Sequence, residues 1–457
     1  MLRFILPIVF LLTFFNFSQA QTQSDSLYKS LQWRNIGPYR GGRANAIAGI
    51  SGNNQTYLVG YTGGGVWKTQ DGGQIWRNIS DKYFGSGSIG DIAIAPSDNN
   101  VIYVATGEHA VRGVMTSYGD GIYKSADGGR TWKNVGLKNS RHVSDIIVHP
   151  TNDNIVWVAA QGTVHGPNSE RGVYKSSDGG TTWRRTLYIN DSTGISSLAL
   201  DPSNHRVLYA ASWQHQRLPW TVNSGGRGSS LWKSTDGGET WNKINNGLPA
   251  LLGKMGVAVS AANPQRVFAI VEAEKGKAGL YRSDDGGASW SLQSTHNDII
   301  ARSWYYMEVV ADPQNENVVY VLNAPLMKSI DGGKTFSTVR VGHGDIHDLW
   351  INPKDPQNLA LADDGGGEIS FNGGQTWSTQ GNQPTAQFYR VAVDNRVPYR
   401  VYGGQQDNTS VMIKSSSNNG SIGEKDWEAS AGCESAWLAF DPNNPEKIYG
   451  GCYQGYI

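Results

Sequence analysis

One nine-residue turn is written again and again along this chain. Lys124-Ser125-Ala126-Asp127-Gly128-Gly129-Arg130-Thr131-Trp132 recurs at 175–183, 233–241, 282–290 and 328–336, with a first copy at 68–76 and a worn one at 370–377. Its key residue falls at Asp71, Asp127, Asp178, Asp236, Asp285, Asp331 and Asn372, a period of about fifty residues. An aspartate opening a tight turn accepts hydrogen bonds from the backbone N–H groups just beyond it. The two glycines permit positive φ, and the closing Trp is shaped to pack between neighbouring units. The six aspartates therefore read as structural turn residues, not catalytic ones.

Between the turns each unit carries short strands in fixed order. An alternating apolar strand, Asp91 to Ala95, precedes a Pro-x-Asx turn at Pro96. Val101 to Ala105, Gly121 to Ser125 and Thr131 to Val135 follow. Four β-rich runs bounded by turn residues describe a four-stranded antiparallel blade, and blades around an axis leave few free edges. The expected fold is all-β: a seven-bladed β-propeller over residues 43–381, followed by the start of a second propeller over 382–457. Residues 21–42 read as an N-terminal strand segment, with Gln32 to Gly37 resembling a fourth strand that lacks its three predecessors. The last unit begins at Trp437 and is two strands long at Ile457, so the chain reads as the N-terminal part of a longer protein.

Composition adds limits. Lys+Arg and Asp+Glu balance at 39 each, so no global field draws the chain to nucleic acid. Arg3, the apolar run Phe4 to Phe15 and Ser18-Gln19-Ala20 read as a signal peptide over 1–20. A membrane span needs roughly 20 apolar residues. Periplasmic or extracellular residence follows, with no membrane span. Two cysteines, Cys433 and Cys452, lie near the ends of neighbouring strands, where both a bridge and two free thiols are open.

The boxes and the Pro-x-Asx turns share one end of the blades, and both are tight. Connections at the other end are long and varied (Gly107 to Gly119, Gly162 to Arg171, Ser212 to Ser229), and long loops on a rigid scaffold carry function. That face holds the candidates. Asp91, Asp145, Glu308 and Asp348 stand five residues before each turn proline or its equivalent, where they would ring the channel, capping local turns or pairing with Arg43, Arg141 or Arg302. Alternation would put His343, Asp345 and His347 on one side of an extended segment, as acid/base groups or ligand contacts. Asp345 joins the carboxylates as a catalytic candidate, and Arg43, Glu108, Arg217, Trp220, His343 and His347 are candidates for binding ligand. Paired carboxylates are what glycoside hydrolysis needs, at roughly 5–9.5 Å. No cofactor or metal motif is present, and neither a Gly-x-Ser-x-Gly elbow nor a phosphate-cradling loop occurs.

The Ser-x-Asp-x-Gly-x-Thr-Trp repeat resembles the Asp-box (BNR) repeat of sialidases, two-propeller xyloglucanases, sortilin-type receptors and photosystem assembly factors. Trp33 to Arg43, Ser88 to Asp91, Gly119 to Gly121, His347 to Trp350 and Gly404 to Asn408 are similar to stretches of large secreted bacterial proteins labelled glycosyl hydrolase-like or sortilin N-terminal-like. In the xyloglucanases one catalytic aspartate precedes the Gly-Gly-x-Tyr strand of the first blade; here Thr62 stands at that place. The second lies in the second propeller. The resemblance implies a secreted propeller acting on or binding extracellular polysaccharide at the channel mouth. The alternatives are a non-catalytic propeller for peptide or protein ligands and an assembly scaffold.

Overall fold

The structure is a computed structural model describing residues 28–112 and 116–457; the expected leader at 1–20 lies outside the described residues. The chain divides into a short unit ending at Asn35 and a body from Ile36 to Ile457.

The body is all-β and its sheets follow one another in sequence. Ala44–Ile50, Asn53–Tyr61, Gly65–Thr69 and Arg77–Asn78 form the first antiparallel sheet in chain order. The pattern repeats at Ile89–Ile94, Ile102–Thr106, Ile122–Ser125 and Lys133–Asn134, and onward through the chain. As far as Ile346–Ile351, the first strand of each sheet packs against the first strand of the next. Ala44–Ile50 also packs against Ile346–Ile351, which brings the succession round on itself. The core accordingly lies between sheets. One cluster joins Tyr103 and Ala105 to Val143, Ile146 and Val158; another joins Ile47, Tyr57 and Val59 to Ala360, Ala362 and Ile369.

The boxes are the turn staples their spacing implies. Asp127 Oδ1 accepts from Arg130 N at 3.0 Å and Thr131 N at 2.9 Å, and Oδ2 accepts from the Thr131 hydroxyl at 2.7 Å. Gly128 and Gly129 have φ of 73° and 88°, conformations that glycine adopts without penalty. Trp132 Nε1 donates to Ile79 O of the preceding sheet at 2.9 Å, and Lys68 Nζ reaches Gly128 O at 2.8 Å. Gly128 N donates to Asn100 O, so box and Pro-x-Asx turn are bonded together at one end.

Three features differ from the sequence reading. The sheet Ile346–Ile351, Leu359–Asp363 and Gly366–Ser370 has three strands. Gln32 to Gly37 is not a strand; within the body, the edge at Gly366–Ser370 is taken by Ser378 N bonding Ile369 O and by Gln383 bonding Gly367. The expected loop from Ser212 is a hairpin, Leu208–Leu218 with Thr221–Ser224. Beyond Gly381 a further sheet, Ala392–Val393, Arg400–Gly404, Ser410–Lys414 and Trp427–Ala429, precedes the hairpin Leu438–Asp441 with Asn444–Gly450. Cys433 and Cys452 flank that hairpin and are joined as a disulfide with Cα atoms 5.2 Å apart, which closes the alternative of free thiols.

Candidate functional site

Asp91, Asp145, Glu308 and Asp348 do come together. They line one cavity of about 190 Å³ with Asn45, His109 and His347, where the innermost strands converge. Three of them neither cap a local turn nor pair with arginine. Asp91 Oδ2 accepts Ile146 N, Asp145 Oδ2 accepts Leu198 N and Asp348 Oδ2 accepts Ile47 N, each at 2.7 Å. Each carboxylate thus clasps the inner strand of the following sheet. Glu308 instead stands 3.7 Å from the Lys254 ammonium. Burial pushes the carboxyls up: Asp91 to about 6, Glu308 to about 7, Asp348 to about 8, and Asp145 well above its ordinary range. Mutual repulsion adds to the rise, because like charges in one small cavity disfavour joint ionisation.

His343, Asp345 and His347 are not ranged along one side. Asp345 has a φ of +63°, so the segment turns instead of extending and sends the three side chains to different partners. His343 Nε2 lies 3.1 Å from Asp407 O, Asp345 pairs with Arg302 at 3.4 Å, and His347 is buried. Burial holds the His347 imidazole well below its ordinary pKa. Among the described residues no group of three His, Cys, Asp or Glu side chains is arranged as metal ligands.

Arg43 is the centre of a second constellation. Its Nε donates to Glu108 Oε1 at 2.9 Å, and its Nη1 to Asp364 Oδ1 at 2.5 Å, with Asp407 Oδ2 at 3.5 Å. Arg112 Nε lies 3.4 Å from Glu108, and His347 Nε2 3.2 Å from Asp364. The Arg43 guanidinium lies over the Tyr305 ring at 5.2 Å, and Tyr306 packs beside His347. Glu108 and Asp364 are buried, whereas the Asp407 side chain is 22% exposed. Burial, then repulsion from Asp364, pushes the Asp407 carboxyl up to about 6. Its backbone N–H is fixed by Glu434 Oε2 at 2.6 Å. Next to it Asp363 and Glu368 form a buried acid pair bridged by Gln380 Nε2, and Glu368 holds the amide of Gly342 at the root of the Asp345 turn.

Arg217 is spent on backbone carbonyls, donating to Arg112 O and Thr221 O, while Trp220 stands 78% exposed at the tip of its hairpin. Asp363, Asp364 and Glu368 escaped the sequence reading. A signal was present: Asp364 directly follows the second strand of its sheet, the place Thr62 occupies in the first sheet.

A family model described as "Sortilin, neurotensin receptor 3" (Sortilin-Vps10) matches residues 64–187 and 171–328. A xyloglucanase from a Paenibacillus species is 25% identical over 224 residues, covering 49% of this chain and 18% of that protein. A xyloglucanase of Hypocrea jecorina is 26% identical over 271 residues, covering 56% of this chain and 28% of its own length. The chain therefore matches only a minor part of these relatives. Among solved structures, an ancestral GH74 enzyme superposes with a TM-score of 0.55 at 16% identity, covering 92% of this chain and 68% of that one. That likeness carries the fold: an all-β, propeller-like body.

Proposed function

The chain belongs to the Sortilin-Vps10 family of propellers, and from that premise we propose that it is a seven-bladed propeller acting on a neutral polysaccharide such as xyloglucan. The boundaries are 43–381 for that propeller and 382–457 for the beginning of a second. The Phe4 to Phe15 run supports an exported, extracytoplasmic protein. The xyloglucanases similar to it support the substrate class, and the face opposite the boxes is where the chemistry is placed.

One observation carries the reading. Asp407 combines partial exposure with a carboxyl held protonated to about pH 6, at the outer end of the buried Arg43–Asp364 group. That is the condition of a general acid. Asp345, ion-paired to Arg302 and two residues from His343, whose Nε2 lies 3.1 Å from Asp407 O, is the companion carboxylate. The carboxylates Asp91, Asp145 and Asp348 are assigned to holding the inner strands together, since each is committed to a backbone amide.

The test is release of reducing ends from xyloglucan, mixed-linkage glucan and carboxymethylcellulose, by the wild type and by Asp407→Asn. Loss of about 10²–10⁴-fold in kcat/KM on substitution supports the acid role. Tight binding of polymer without any release of sugar favours a binding propeller instead.

A further inference from the structure

The strands Leu359–Asp363 and Gly366–Ser370 carry two acids on one face. Leu361 pairs with Glu368 across the ladder and Asp363 stands two residues further on, so Asp363 and Glu368 are diagonal neighbours within side-chain reach. Both are buried, and among the described residues neither takes part in a salt bridge. Asp363 Oδ1 accepts from Gly365 N at 2.8 Å and Gln380 Nε2 at 2.7 Å, while its Oδ2 has no partner among the described residues. Glu368 accepts Gly342 N through Oε1 at 2.8 Å and Oε2 at 3.1 Å, and the same Gln380 Nε2 at 3.1 Å.

Two bare carboxylates side by side, away from water and without a cation, disfavour joint ionisation. One proton resolves the conflict. On Asp363 Oδ2, the one oxygen of the pair without a donor, it makes a hydrogen bond to Glu368, which stays the ionised partner. Burial, then repulsion from Glu368, pushes the Asp363 carboxyl well above its ordinary range. The other titratable groups facing the pair are His343 from the turn, Tyr61 from the first sheet and the adjoining Asp364. The charge kept on Glu368 holds the turn 342–345, in which Asp345 is left-handed. A Cβ on Gly342 would stand 2.9 Å from both Glu368 oxygens, and one on Gly365 2.7 Å from His343 Cβ, so the turn sits directly on this corner of the sheet.

We propose that Asp363 and Glu368 share one proton and act together as positioning residues, seating the turn that presents Asp345 and brings His343 to Asp407. The proposal rests on the roles given above to Asp345 and Asp407, and two of its three measurements are independent of them.

Urea denaturation of the wild type, Asp363→Asn, Glu368→Gln and the double variant, from about pH 5 to 8, tests the proton. The folded pair keeps a proton that the unfolded chain releases above about pH 4, so the wild type loses stability with rising pH relative to an amide variant. The unfolding constant of the wild type over that of either single variant should grow about tenfold per pH unit, and the double variant should add no further slope. No growth, or a second tenfold from the double variant, overturns the shared proton. Hydrogen exchange of 342–346, read by mass spectrometry, tests the seat. Glu368→Ala should speed it about tenfold and Glu368→Gln should restore it; equal exchange in the wild type and Glu368→Ala overturns the seat. The slope needs only the amide variants, so it decides even where the alanine variant does not fold. On polysaccharide, Glu368→Ala should lower kcat and leave KM in place, with rescue by Glu368→Gln, whereas a change in KM alone overturns the positioning role. A wild type that releases no sugar, with slope and exchange as expected, supports the pair and its seat and defeats the glycan-cleaving reading alone.

Discussion

The Asp348 carboxylate accepts the backbone N–H of Ile47 at 2.7 Å, across 301 positions of sequence. It joins the inner strand Ile346–Ile351 to the inner strand of the first sheet, Ala44–Ile50. Asp91 and Asp145 do the same between consecutive sheets.

This clasp sets a pH dependence. Burial raises Asp348 to about 8, Glu308 to about 7 and Asp91 to about 6. The folded protein therefore holds protons that the unfolded chain releases from roughly pH 4 upward, so stability falls as pH rises from about 4 to 8. Asp348→Asn keeps the acceptor oxygen and cannot ionise. Its melting temperature should gain on that of the wild type between pH 5 and pH 8, whereas Asp348→Ala, which cannot ionise either but loses the acceptor, should lie about 1–3 kcal/mol below Asp348→Asn. A pH-independent gap between Asn variant and wild type would refute the assignment.

The worn box supplies a natural control. Asn372 Oδ1 accepts Thr376 N at 2.9 Å, and its Nδ2 donates to the Thr376 hydroxyl at 2.8 Å, replacing the bonds an aspartate makes. Asp331→Asn should therefore be nearly neutral in urea denaturation, while Asp331→Ala should cost about 1 kcal/mol, as the loss of a helix cap does. Equal losses in both variants would mean that charge, not the acceptor, holds the turn.

Arg43 balances buried charge, and its removal strands two carboxylates. Arg43→Met should destabilise by about 3–5 kcal/mol. Adding Glu108→Gln to it should recover part of that loss, because one stranded charge is then gone. A double variant as unstable as the sum of the two single ones would exclude the pairing.

For Asp407 the rate profile is diagnostic. With its carboxyl raised to about 6, kcat/KM on polysaccharide should fall as pH rises through about 6. That limb should be missing from whatever activity Asp407→Asn retains.

The disulfide is a local tie, spanning 19 residues around one hairpin. Cys433→Ser should expose 433–452 to limited proteolysis and leave the main thermal transition in place. A shift of that transition would show that the tie reaches into the larger body.

The repeat was readable because its chemistry is local: Asp127 and all the groups it binds lie within four residues. The channel carboxylates were readable as a register but not in their role, since the amide each clasps belongs to a different sheet. His343, Asp345 and His347 misled because alternation presumes an extended backbone, and Asp345 is left-handed. Arg43 lies 321 positions from Asp364, and no pattern in the intervening residues announces the meeting. What marked Asp364 was comparison between units, at the place where the first one has Thr62.

The links made by Lys68 and Trp132 run only between one sheet and the next along the chain. Each repeat therefore carries its own plug and its own socket, written into about fifty residues. Such parts can be copied or exchanged in tandem without redesigning their neighbours. The circle does not come with the parts: it is made where Ala44–Ile50 meets Ile346–Ile351 and Asp348 clasps Ile47, a junction that every change in the number of copies would have to remake.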